Sequence, residues 1–180
     1  MAVDSFEFGK FGHHNPILSE YSKYRMKEYI KDTVEHCGFI STDGKYIHKT
    51  NTGVKINGRN TCIRDRANFK RIYWHTHPKG RPYFPSDNDI FLPLHYKETE
   101  FLFTEFGIWI MWCDNNKRYD RDYILKIANK INGDFFNKKK IISHKNWYDN
   151  NTDSKHVESY ILELKKQLDI TCIFVPIDLS

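Results

Sequence analysis

The chain has no long apolar run: nothing in it approaches the stretch of about 18 apolar residues that a membrane-spanning helix needs. It has no Cys-x-x-Cys pair, and Cys37, Cys62, Cys113 and Cys172 stand far apart. That excludes a zinc ribbon or a thioredoxin-like motif, and the reading is four buried thiols in a reducing compartment, Cys37 explained by packing. The opening residues lack a basic stretch followed by an apolar one, so no signal peptide is expected and the expected location is cytoplasmic. Internal repeats, low-complexity tracts and a recognisable linker are also missing. One domain over residues 1–180 is the expectation, long enough for a sizeable core. Charge of one sign is not concentrated: the net charge of +5 is spread out, with its densest runs at Lys138-Lys139-Lys140 and Lys165-Lys166. Both read as solvated surface, so neither a membrane nor a nucleic-acid partner is expected. Aromatic residues, by contrast, make up 16% of the chain, which argues against global disorder.

The pattern of elements predicts an α+β domain with a central mixed sheet flanked by helices. Residues 1–14 read as an irregular lead-in. Asn15-Pro16 reads as a helix start, and Leu18, Tyr21, Tyr24, Tyr29, Ile30 and Val34 as the buried side of a helix from Ile17 to about Val34. A hairpin follows, Cys37 to Ser41 and Lys45 to Lys49, turning at Asp43-Gly44. Asn51 to Asn60 reads as loop, Phe69 to His75 as a strand, and Ser86 to Leu92 as a short helix cut by Pro93. Glu100 to Phe106 and Ile108 to Cys113 read as adjacent strands of the central sheet. Tyr119 to Ile131, with Tyr123, Ile124, Ile127, Ala128 and Ile131 at helical spacing, reads as a helix ending at Asn132-Gly133. Asn137 to Asp153 is a polar loop. A last helix capped by Ser154 buries Val157, Tyr160, Ile161, Leu164 and Leu168, and Ile170 to Pro176 closes the chain as a strand.

The most informative stretch is Tyr73-Trp74-His75-Thr76-His77-Pro78, followed by Ser86-Asp87-Asn88-Asp89. Side chains alternate along a strand, so His75 and His77 point the same way and Thr76 the other. Two imidazoles suit zinc, and Asp89 is the candidate third ligand, leaving one position for water. The loop Lys79 to Pro85, with Gly80, Pro82 and Pro85, would bring Asp89 back. A plainer reading stands beside this one. His-x-His pairs occur on ordinary surfaces and in cores, and Ser86 and Asp89 spell a helix N-cap with a capping box. The two readings of Ser86 and Asp89 are compatible. Upstream, Glu35 sits where the first helix hands over to the first strand. A carboxylate beside a metal serves as base in many zinc hydrolases, although Glu35 by itself reads as a solvated helix-end group.

Taken in order, Glu35-His36-Cys37-Gly38, His75-Thr76-His77-Pro78 and Ser86-Asp87-Asn88-Asp89 resemble the signature of the JAMM (MPN-plus, JAB) zinc metalloproteases. The feel is nearest to the prokaryotic and phage branch, and Pro78-Lys79-Gly80-Arg81-Pro82 resembles RadC-like proteins. The match covers about Ile17 to Leu92, and the segment Pro78 to Pro85 is one residue longer than the family's usual spacing. The resemblance implies an MPN fold, which is cytidine-deaminase-like. It implies one zinc ion per chain held by His75, His77 and Asp89, with Glu35 as general base and Ser86 as the oxyanion donor. The implied activity is hydrolysis of an amide or isopeptide bond by Glu-activated water, on a protein or peptide substrate that includes ubiquitin-like conjugates. Two alternatives stay open: a non-catalytic MPN scaffold, and a RadC-like protein acting around DNA. The stretches Asn51 to Asn68 and Asn137 to Asp153 read as surface loops that could also shape a substrate groove.

Overall fold

The computed structural model describes residues 4–56, 59–62, 72–81, 83–137 and 151–180. Among these, a seven-stranded sheet runs in the order β1 (Asp4–Glu7), β5 (Tyr46–Thr52), β4 (His36–Ile40), β8 (Ile72–Thr76), β9 (Thr99–Thr104), β10 (Gly107–Trp112) and β11 (Thr171–Pro176). Two small pairs accompany it, β2 (Gly9–Lys10) with β3 (Ile17–Leu18), and β6 (Val54–Ile56) with β7 (Arg59–Thr61). The helices are α1 (Glu20–Lys31), α2 (Asp87–Tyr96), α3 (Arg121–Asn132) and α4 (Asn151–Leu168). The sheet is mixed: β4 pairs antiparallel with β5 and β8, while β8 runs parallel to β9. A parallel pair needs a crossover, and α2 lies in that connection. This is the α+β architecture expected from the sequence.

The chain divides into two compact units. The first comprises Met1–Phe84, Glu98–Ile110 and Phe174–Ser180. In it α1 buries Met26, Tyr29 and Ile30, and Tyr29 stacks on Trp74 of β8. Trp74 is also edge-on to Phe103. The residues that alternate with Trp74 along β8 therefore lie on the other face of the sheet. The second unit comprises Pro85–Lys97 and Met111–Ile173. Its core is helical, with Ile90 and Leu94 of α2, Ile124, Ala128 and Ile131 of α3, and Tyr160, Leu164 and Leu168 of α4 all essentially inaccessible.

Several expectations are corrected. The lead-in is not irregular: β1 pairs with β5 from Asp4↔Lys49 to Glu7↔Tyr46, and Asp4 accepts hydrogen bonds from Tyr29 and Arg25. Helix α1 starts later than Asn15-Pro16 suggested, because Ile17–Leu18 pairs as β3 and Ser19 takes the N-cap, accepting from the Ser22 N–H at 3.1 Å. The buried side of the helix is Ser22, Met26, Tyr29 and Ile30, and Tyr21 and Tyr24 are exposed. The stretch read as loop at Asn51 to Asn60 continues β5 to Thr52 and then forms β6 and β7. Pro93 does not end α2, which continues to Tyr96 and closes on Lys97 in the left-handed region. Proline removes one hydrogen bond from the ladder, and burial of Ile90, Phe91 and Leu94 outweighs that loss. In α3, Tyr123 is exposed while Ile124, Ala128 and Ile131 face the core. Helix α4 begins before Ser154. Residues 57–58, 63–71 and 138–150, which fall in the expected loops and in the expected strand, lie outside the described residues.

Candidate metal centre

Strand β8 presents the histidines as its spacing requires. Thr76 is fully buried on the α1 side, and His75 and His77, both buried, belong to the opposite face. The backbone holds them by ladder bonds on either flank: Cys37 of β4 opposes His75, and the His77 N–H donates to the Phe103 carbonyl at 2.9 Å. The two rings lie 5.3 Å apart, centroid to centroid.

Asp89 is placed by a local device. Ser86 is the N-cap of α2, its Oγ accepting from the Asp89 N–H at 3.2 Å while Asp89 Oδ2 accepts from the Ser86 N–H at 2.7 Å. This reciprocal capping box fixes the carboxylate's rotamer at the helix entrance. A carboxylate offers about four lone-pair sites, so the cap leaves acceptor capacity for a cation. The Ser86 hydroxyl, used as acceptor, keeps its proton for donation. Asn132 supports the approach to this cap by donating to the Pro85 carbonyl at 3.1 Å, and Tyr160 donates to Asn132 Oδ1 at 2.9 Å. Burial pushes the Tyr160 phenol well above its usual range, and the Asp89 carboxylate adds to this, so it remains a donor.

One ligand atom from each of His75, His77 and Asp89 lies within 4.8 Å of the others, and all three residues are buried. The group can hold a metal ion. Around a tetrahedral ion with ligands at 2.0–2.1 Å, donor atoms sit about 3.4 Å apart, a spacing that small side-chain rotations would reach. Two neutral imidazoles and a carboxylate are a donor set that zinc accepts, and burying these polar groups together without a cation is costly.

Glu35 is half-buried between α1 and β4. Carrying the Cys37↔His75 register two residues on brings Glu35 level with His77. Two contacts hold the backbone there. The His36 N–H donates to Thr76 Oγ1 at 3.0 Å, and the Glu35 carbonyl accepts from the Gly53 N–H at 2.6 Å. A Cβ on Gly53 would come within 3.2 Å of that carbonyl and 3.3 Å of the Glu35 Cβ, so glycine allows the approach. Gly38 serves similarly: a Cβ there would meet the His48 carbonyl at 1.8 Å, and the β4–β5 register shifts beside it.

The structure corrects the cysteine reading. Cys37 is bonded to Cys62 in a disulfide, while Cys113 and Cys172 are free. The bond ties the strand beside His75 to the end of the β6–β7 pair.

Sequence reasoning also missed Glu100. Its carboxylate is 1% exposed, and Oε1 lies 2.7 Å from His75 Nδ1. In the β8–β9 register Glu100 opposes Tyr73, so it shares the face of His75 one diagonal step away. The available signal was an acidic residue directly before the apolar run Phe101-Leu102-Phe103. Among the described residues no helix is long and apolar enough to cross a membrane. Compared with protein-family models, curated proteins and solved structures, the chain matches no family model, no curated protein and no solved structure.

Proposed function

We propose that this protein is a zinc-dependent peptidase or isopeptidase with an MPN-type fold. The observation that carries the proposal is the buried group of His75, His77 and Asp89, with ligand atoms within 4.8 Å of one another. These three residues would hold one zinc ion. Bound there, zinc would supply Lewis-acid activation of a carbonyl and of water. Glu35, level with His77 in the strand register, takes the proton from the attacking water and returns it to the leaving amine. Ser86 donates its hydroxyl proton to the oxygen on which negative charge develops. The half-buried setting of Glu35 and the acceptor role of the Ser86 oxygen in the capping box both suit these tasks. The substrate class is an amide or lysine isopeptide bond in a protein or peptide, with ubiquitin-like conjugates as the first to try.

The test joins metal content to turnover. Protein purified without a metal-binding tag is expected to carry about one zinc per chain, the stoichiometry of a single four-coordinate site. Glu35→Gln is expected to keep that zinc and to lose hydrolysis of a ubiquitin-like tail joined to lysine, by about 10²-fold or more. Unchanged turnover in Glu35→Gln would remove Glu35 from the reaction. No metal in the wild type, even after zinc is offered, would replace the hydrolase by a scaffold.

A further inference from the structure

Glu100 is the one charged residue of β9, whose sequence is Thr99-Glu100-Phe101-Leu102-Phe103-Thr104. Removing a carboxylate from water is expensive unless a partner compensates it. One partner is His75, itself only 8% exposed through its side chain, with Nδ1 at 2.7 Å from Glu100 Oε1. An ionised carboxylate only accepts, so with Glu100 in that form the hydrogen on this contact would sit on Nδ1. An imidazole carrying its proton on Nδ1 has its lone pair on Nε2. In that arrangement one residue on a neighbouring strand would decide which nitrogen of His75 is offered to an ion.

We infer that Glu100 is a positioning residue for the metal centre: it holds the His75 ring in the Nδ1–H tautomer and presents Nε2 to the ion. The inference rests on the metal-centre reading above. Three features support a role beyond filling space. The bond is made to one of the three clustered ligands. Glu100 reaches it from the parallel strand, one diagonal step along, so the ladder fixes both backbones. The nearly complete burial of the carboxylate keeps the contact out of competition with water. A carboxylate behind a ligating histidine also raises the basicity of the metal-binding nitrogen, and its loss typically weakens binding 10–100-fold.

The experiment reads the ring directly. Histidine ¹⁵N spectra of wild type, with and without zinc, report which His75 nitrogen carries hydrogen. Zinc titrations are then run on wild type, Glu100→Met and Glu100→Gln. Methionine fills the space and removes the acceptor, whereas glutamine keeps a carbonyl oxygen. The expected results are hydrogen on Nδ1 and zinc on Nε2 in the wild type. Zinc affinity should fall about 10–100-fold in Glu100→Met and be largely recovered in Glu100→Gln. Zinc on Nδ1 in the wild type would overturn the inference without any variant. So would a folded Glu100→Met with wild-type affinity and an unchanged ring spectrum. If the wild type binds no zinc, the metal reading fails by itself, and the zinc-free spectrum still decides whether Glu100 sets the tautomer. Should Glu100→Met not fold, the wild-type spectra decide the question.

Discussion

The end of strand β8 and the start of helix α2 supply side chains to the same candidate group by opposite means. His75 and His77 depend on residues distant in sequence: Cys37 across the ladder, Phe103 through its carbonyl, and Glu100 through its carboxylate. Asp89 depends on Ser86, three residues away, within one turn. A ligand set by a local motif should tolerate damage elsewhere in the chain and respond sharply to changes in its own motif. A ligand set by a sheet should do the reverse.

The largest effect expected on the strand side comes from the Cys37–Cys62 bond, which closes a sequence separation of 25 residues beside His75. In the chain-entropy picture a cross-link of that span stabilises the fold by about 3.5 kcal/mol, because it restricts the unfolded ensemble. Cys62→Ser should lower the unfolding free energy in urea by about that amount. Zinc affinity measured at denaturant-free, fully folded conditions should fall much less. A Cys62→Ser protein as stable as the wild type would mean that the bond does not brace this strand.

On the helix side, Asp89 has two jobs that different substitutions separate. Asp89→Asn keeps an oxygen for the Ser86 N–H but removes the charge, whereas Asp89→Ala removes both. Zinc affinity is expected to drop at least about 100-fold in each, since a charged ligand is lost. Stability of the metal-free protein should change little in Asp89→Asn and fall by about 1 kcal/mol in Asp89→Ala, the scale of a lost cap. Calorimetry of both variants in a chelator checks this. Equal metal-free stability would show that the Asp89 side-chain half of the capping box contributes nothing, and the comparison of the two regions would be weakened on its local side.

The same division explains what was legible in the sequence. The His-x-His spacing and the Ser-x-x-Asp cap are periodic or local signals, and each places a side chain without knowledge of the fold. The mixed sheet with helices could be read from runs such as Phe101 to Thr104 and Ile108 to Met111, where apolar patterning is dense. What failed required pairing information. Glu100 meets His75 only because β8 and β9 run parallel in one particular register, and Cys37 meets Cys62 through the path of the β6–β7 pair. The first helix was misplaced by competition between two caps: Asn15-Pro16 has a valid helix-start composition, but β3 uses the next two residues and Ser19 begins the helix instead.

The smallest effect expected tests Thr76, which belongs to the strand side but faces away from the clustered ligands. Its Oγ1 accepts from the His36 N–H, a donor next to Glu35 at the point where β4 begins. Thr76 is fully buried, so Thr76→Val keeps the shape and leaves that N–H without its acceptor. The cost should be about 1 kcal/mol or somewhat more in stability, the scale of a buried donor deprived of its partner. Thr76→Ser keeps the oxygen and should cost less than Thr76→Val. Zinc binding should be unchanged in both, because neither substitution touches His75, His77 or Asp89. Turnover should fall in Thr76→Val and recover in Thr76→Ser, since the hydroxyl acts on the backbone that carries Glu35. A valine variant with full turnover would show that Glu35 is placed by the Gly53 contact alone, and the strand side would then owe less to Thr76 than its geometry indicates.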